Sequence, residues 1–236
     1  MTLKPAQLRF LIALGAAALT GLGLFIYDLW IHHELIDDYL VINLILASLP
    51  LLISTRLRAV LKRKLWSFWE PLVLSLLWLL FLPNSFYMIS DFVHLQNASP
   101  GNVLFDAVMF SSFIYLAAGM GFISVYQVHN ELRRRLRPVT AGILVALVLL
   151  GSSFGVYLGR DLRWNSWDIL IHPGGLLFDI SNLLLNLRTY PDMLKTTLSF
   201  FLVLSSLYAF TWNTVRLVYL QGVRDLASRL KSNRSL

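Results

Sequence analysis

The sequence predicts an all-α fold, a polytopic transmembrane helix bundle of six spans with an added amphipathic segment at one surface. Three observations carry that class. Hydrophobic residues fill 57% of the 236 positions and charged residues only 14%, against about 25% charged in soluble domains. Six runs are long and apolar enough to cross the roughly 30 Å hydrocarbon layer as helices. The charges between those runs also segregate by sign. Mean hydropathy is +0.65. There is no cysteine, which excludes disulfides, thiolate metal sites and cysteine nucleophiles.

The spans fall near 8–28, 39–55, 71–90, 104–126, 138–158 and 196–216, in one membrane domain over 1–236. Helices are the expected spanning form because lipid leaves backbone groups no outside partner. The first run, with "LIALGAAALTGLG", covers about 18 apolar residues, more than the usual 7–15 of a signal-peptide core, so an uncleaved span is expected. The second is the shortest and contains Pro50. The third holds the stretch "WLLFLPNSFYMISDFVHL", residues 78–95, which changes from lipid-like to polar within a few turns. Pro83 removes a backbone donor and presses on the carbonyl of Leu79, predicting a kink, and Asn84 and Ser85 can bond the groups it frees. If the helix continues, Asn84, Tyr87, Asp91 and His94 share one stripe, which must face protein or a wet cavity.

Small residues at four-residue spacing predict close packing: Gly151, Gly155 and Gly159 in the fifth run, Ala17 and Gly21 in the first, Ala117 and Gly121 in the fourth. The glycine row ends beside Arg160 and Asp161. The connection 159–195 is too apolar for an ordinary loop. In "GRDLRWNSWDILIHPGG", Asp161, Asn165, Asp168 and His172 form a second stripe if helical, while Asn165 or Ser166 can equally cap a short new turn. "GGLLFDISNLLLNL" puts Asp179, Asn182 and Asn186 on one face of a helix too short to cross, so residues 176–188 lie in the interface or dip in and return. A third polar contribution is "YDLWIHHELIDDY", with Asp28, His32, His33, Glu34, Asp37 and Asp38.

Sixteen of the 20 basic residues lie on one side, in the N-terminus, 56–64, 133–137 and the tail, and ten of the 13 acids lie on the other. The positive-inside rule places both termini and the basic loops in the cytoplasm. The pI near 9.9 therefore reflects topology and contact with anionic lipid, and no nucleic-acid partner is expected. No serine-nucleophile elbow, phosphate loop or zincin pair is present.

The candidate site is the polar cluster at the outer face: Asn84, Tyr87, Asp91, His94, Arg160, Asp161, Arg163, Trp164, Asn165, Trp167, Asp168 and His172. Asp91 and His94, three apart on one face, can share a divalent metal such as zinc or manganese with Asp168 and His172, or all four can belong to an ion-pair and hydrogen-bond network. Arg160 and Arg163 can hold phosphate beside the interfacial Trp164 and Trp167, or Arg160 can pair with Asp161 or Asp91. The functions that follow, in order, are an accessory or binding protein for a lipid, a lipid-linked molecule or a partner protein; a membrane-embedded enzyme, with or without a metal, acting on a lipid or lipid-linked phosphate; and a small-solute transporter. The last lacks the midplane charges and broken-helix repeats expected of it.

"WLLFLPNSFYMISDFVHL" followed by "GRDLRWNSWDIL" resembles a family of bacterial multi-pass membrane proteins classified only as a domain of unknown function. The resemblance covers most of the chain from the second run onward, on the combinations Leu-Pro-Asn before Asp-x-x-His and Arg-Trp-Asn-Ser-Trp-Asp. It implies a bacterial cytoplasmic membrane, and it implies no substrate, cofactor or catalytic residue.

Overall fold

The computed structural model describes residues 5–32, 39–97 and 103–232. Its elements, in chain order, are α1 (Pro5–His32), α2 (Tyr39–Val60), α3 (Trp69–Tyr87), a 3-10 helix (Met88–Asn97), α4 (Val103–Arg133), α5 (Pro138–Asp161), α6 (Asp168–Ile171), α7 (Pro173–Leu185) and α8 (Pro191–Ser232). Among the described residues there is no strand, and six helices are long and apolar enough to cross a membrane. Each begins or ends beyond its predicted apolar run. α8, at 42 residues, is about 63 Å long at 1.5 Å per residue, roughly twice the hydrocarbon layer.

α4 is the central helix. Of its most apolar window 61% is buried, against 6% for α1. α2, α3, α5 and α8 pack around it in that order, and α1 packs on α4 alone among the elements with substantial contact. Phe86, Phe122, Val125 and Leu204 join α3, α4 and α8 in one apolar cluster, and Met88, Met109, Phe113 and Leu40 form a second where α2, α4 and the 3-10 helix meet.

Two glycines on α4 and α5 let α3 approach closely. A Cβ on Gly121 would sit 2.7 Å from Ser85, and one on Gly155 would sit 2.6 Å from the Pro83 ring. A Cβ on Gly159 would lie 3.3 Å from Tyr87. The turn from Pro83 to Tyr87 is thus gripped from two sides. Gly151 departs from the expectation: it is exposed and a Cβ there meets nothing within 4 Å. The four-residue row therefore packs over its last two members only, where α5 closes on α3.

The prolines in α2 and α3 are handled alike. Each proline removes the N–H that would bond the carbonyl four residues earlier, Leu46 in α2 and Leu79 in α3, and in each case a serine from elsewhere donates to the next carbonyl along. The hydroxyl of Ser85 on α3 donates to the carbonyl of Ala47, three residues before Pro50, at 2.8 Å. The hydroxyl of Ser166 donates to the carbonyl of Leu80, three residues before Pro83, at 3.1 Å. A serine from a neighbouring segment thus bonds the backbone beside each proline break. Asn84 and Ser85 do not repair their own helix, contrary to the sequence expectation. Ser85 serves α2, and Asn84 donates to Ser166 at 3.0 Å.

The end of the bundle where α2 and α4 finish is basic. Glu131, with its side chain 4% exposed, pairs with Arg134 at 2.7 Å and Arg135 at 2.8 Å, and Arg58 stands 3.9 Å away. Arg135 also donates to the carbonyl of Leu61 and lies over the Trp66 ring. Glu70 takes Arg56 and Lys64. Deeper in, His129 shares a 2.8 Å hydrogen bond with the hydroxyl of Tyr208 and stacks on Trp212 at 4.0 Å, joining α4 to α8. These groups hold the basic end together.

Candidate functional site

The opposite end carries the polar residues singled out in the sequence. α3 ends at Tyr87, and the chain tightens into a ten-residue 3-10 helix, where an α-helix was expected to continue. Such runs rarely exceed three or four residues and often mark functional or strained segments. The change resets the stripe. In a 3-10 helix residues three apart eclipse, so Met88, Asp91 and His94 form one column and Ile89, Phe92 and Leu95 the next. Met88 and Asp91 are buried, with Asp91 1% exposed. Asn84 and Tyr87 belong to the preceding α-helix and do not join that column. Tyr87 lies against Gly159.

α5 stops at Asp161, and the chain then turns instead of continuing the predicted stripe. Arg163 takes a left-handed backbone, φ 60°, a conformation that costs a non-glycine residue about 1–3 kcal/mol and needs surrounding support. The support is visible. The Trp164 N–H bonds the carbonyl of Leu158, its indole N–H donates to Asp179 on α7 at 2.9 Å, and its ring lies where a Cβ on Gly175 would meet it at 3.2 Å. Asp168 accepts the Asn165 backbone N–H at 2.6 Å, so it fastens the start of the short α6. Of the two proposed caps, Ser166 points to α3 and Asn165 is exposed. Trp167 and His172 are exposed as well.

α7 has its polar face inward. Asp179 meets Trp164, and Asn182 donates to the Tyr190 hydroxyl at 3.2 Å. Leu177, Phe178, Leu184 and Leu185 are 54–83% exposed on the other side. That orientation suits a helix whose outer face meets hydrocarbon.

Two candidate residues come together across the chain. Arg160 Nη1 lies 3.3 Å from His94 Nε2. A guanidinium only donates, so in this contact the imidazole Nε2 is the acceptor. The His94 ring also packs on Tyr39 with centroids 5.1 Å apart. Arg160 makes no ion pair with Asp161 or Asp91 within 4 Å; among the described residues its charge meets no carboxylate at that range. Asp91, His94, Asp168 and His172 are not gathered at one point: among the described residues no three His, Asp or Glu side chains stand close enough to hold a metal ion. Asp168 is turned to Asn165, and His94 to Arg160 and Tyr39. His33, Glu34, Asp37 and Asp38 lie outside the described residues.

Ser166 is the residue whose role the sequence disclosed least. It links Asn84 to the Leu80 carbonyl and so joins the post-α5 turn to the Pro83 break. Ser166→Ala is expected to lower stability by about 1–2 kcal/mol through the loss of its two part-buried hydrogen bonds, one accepted from Asn84 and one donated to Leu80. An unchanged thermal unfolding midpoint would remove Ser166 from this role.

Six membrane-length apolar helices with lipid-facing side chains, closed at one end by arginine–glutamate pairs, define a multi-pass integral membrane protein. The family described as "Protein of unknown function (DUF1361)" matches residues 42–208. The chain belongs to that family. No curated protein and no solved structure matches it. The matched range takes in α2 through most of the apolar part of α8, including every candidate site residue.

Proposed function

We propose that this is a binding protein of the bacterial cytoplasmic membrane, with its basic end inside, whose outer end holds the anionic head of a lipid or lipid-linked molecule. One observation carries the reading: Arg160 is half-buried against the His94 ring and has no carboxylate among the described residues within ion-pair range. Guanidinium keeps its charge at any working pH and matches phosphate oxygens two at a time. The adjacent Asp161 is exposed and outside ion-pair range, and a phosphodiester head group would give the half-buried guanidinium a close anionic partner. Trp164 and Trp167 stand in the adjoining turn, the residue type that settles at head-group depth. The basic end, with Arg56, Arg58, Lys62, Arg63, Lys64 and Arg133 to Arg137, supports the orientation by the positive-inside rule.

Purified protein titrated with phosphatidylglycerol should bind it in preference to phosphatidylcholine. Arg160→Gln should weaken that binding about tenfold, equivalent to about 1.4 kcal/mol, while leaving the unfolding midpoint near wild type. Equal affinity of wild type and variant for phosphatidylglycerol would refute the reading.

A further inference from the structure

The ring of helices around α4 has an opening between α1 and α8, and a groove of about 680 Å³ lies there on the α4 surface. The volume falls within the roughly 300–1,000 Å³ that takes a small-molecule ligand. We infer that this groove seats one hydrocarbon chain of the lipid whose head Arg160 holds, an inference that rests on the head-group reading above.

Four features select a chain over other occupants. The walls belong to membrane-spanning helices, with Ala17 from α1, Gly119 from α4 and Phe210 from α8, so hydrocarbon is the medium at its opening. The groove also presents no demand for a polar ligand: the hydroxyls of Ser111 and Thr211 each donate to a carbonyl of their own helix, and Tyr115 stands on the exposed rim. In length it runs along α4 from Ser111 to Ile123, about 18 Å at 1.5 Å per residue, close to one leaflet of the roughly 30 Å layer.

The fourth feature is continuity with the head-group site. Ile89 and Phe92 of the 3-10 helix line the groove. They form the column beside Asp91 and His94, so a single ten-residue helix turns one face to Arg160 and the next to the groove. The 3-10 register is what makes that division. With 3.0 residues per turn Ile89 eclipses Phe92, and Asp91 eclipses His94; an α-helix would rotate each pair apart by about 60° over the same three residues.

The test uses full-length protein in phosphatidylcholine vesicles containing phosphatidylglycerol with a photoactivatable diazirine on one acyl chain. Labelled peptides are located by mass spectrometry. Label should concentrate on the groove residues of α4 and α8 and be displaced by unlabelled phosphatidylglycerol. Gly119→Phe, whose new side chain enters open space because a Cβ there meets nothing within 4 Å, should cut the groove label about tenfold. Ala13→Phe, on the facing wall of α1 and exposed, should do the same if Gly119→Phe fails to fold. Arg160→Gln should cut it too.

Loss in Arg160→Gln with full label in both groove variants overturns the chain site and leaves the head-group reading standing. Loss in the groove variants with full label in Arg160→Gln keeps the chain site and overturns the head assignment. Label spread evenly over the lipid-facing helices, without displacement, reduces the groove to ordinary lipid contact and overturns the inference. A dimer in native mass spectrometry that Gly119→Phe converts to monomer would give the groove to a second copy, which also overturns it.

Discussion

Arg135→Ala is expected to lower the unfolding free energy by about 2–3 kcal/mol, of which a charge-assisted hydrogen bond accounts for about 1.5–3 kcal/mol and a cation–π contact for about 0.5–1 kcal/mol. The guanidinium donates to the Glu131 carboxylate at 2.8 Å, the Glu131 carbonyl at 2.8 Å and the Leu61 carbonyl at 3.2 Å, and lies 5.5 Å over Trp66. It is 32% exposed, so water offsets part of the loss, but the Glu131 carboxylate is only 4% exposed and cannot rehydrate in place. At about 2–4 °C per kcal/mol for a chain of this size, the midpoint should fall by about 4–12 °C. Arg135→Lys should recover only part of it, since a single ammonium cannot reach the three acceptors that the planar fork spans. A midpoint within about 1 °C of wild type for Arg135→Ala would show that Glu131 is neutralised by Arg134 and Arg58 alone.

Gly155→Ala should be the most damaging methyl addition in the bundle. The new Cβ would stand 2.6 Å and 2.9 Å from two carbons of the Pro83 ring. A proline ring inside a helix cannot swing aside, so α5 and α3 must separate, at about 1–3 kcal/mol for overpacking. The separation should also loosen Tyr87 against Gly159 and reduce head-group binding, because Arg160 rides on the same helix. Gly151→Ala, one turn earlier on α5 and open to its surroundings, should be neutral or slightly stabilising through helix propensity. Equal midpoints for the two variants would dissociate the glycine row from the α3 contact.

The helical class and the six spans were legible because lipid permits few alternatives: an apolar run of membrane length has to be helical, and "LVINLILASLPLLI" or "AGILVALVLLG" offers no competing pattern. The ends were less legible. α4 continues past its apolar run to Arg133 because Glu131 finds arginines three and four residues on and Arg58 across the bundle; the i, i+3, i+4 pattern in "ELRRR" was readable, the cross-bundle partner was not. The stripe Asn84, Tyr87, Asp91, His94 presumed α-helical rise, and the change to 3-10 geometry at Met88 left no local mark such as a glycine. The approach of Arg160 to His94 depends on α5 packing against α3, which composition and spacing do not encode. Ser166 was visible as a helix cap because serine caps are common; its use as a donor to another helix's carbonyl depends on tertiary position.

The paired serine donors also bear on the order in which the protein is made. Pro50 interrupts α2 before α3 exists, and the hydroxyl that bonds the neighbouring Ala47 carbonyl arrives 35 residues later with Ser85. Pro83 weakens α3 in turn, and its donor, Ser166, arrives only after α4 and α5 have been synthesised. At the usual 5–20 residues per second, α3 passes roughly 4–17 seconds without the Ser166 contact beside its break. Each proline break therefore gains its serine contact from a segment made later, and a nascent chain that stalls before residue 166 lacks the one that ties α3 to the turn after α5.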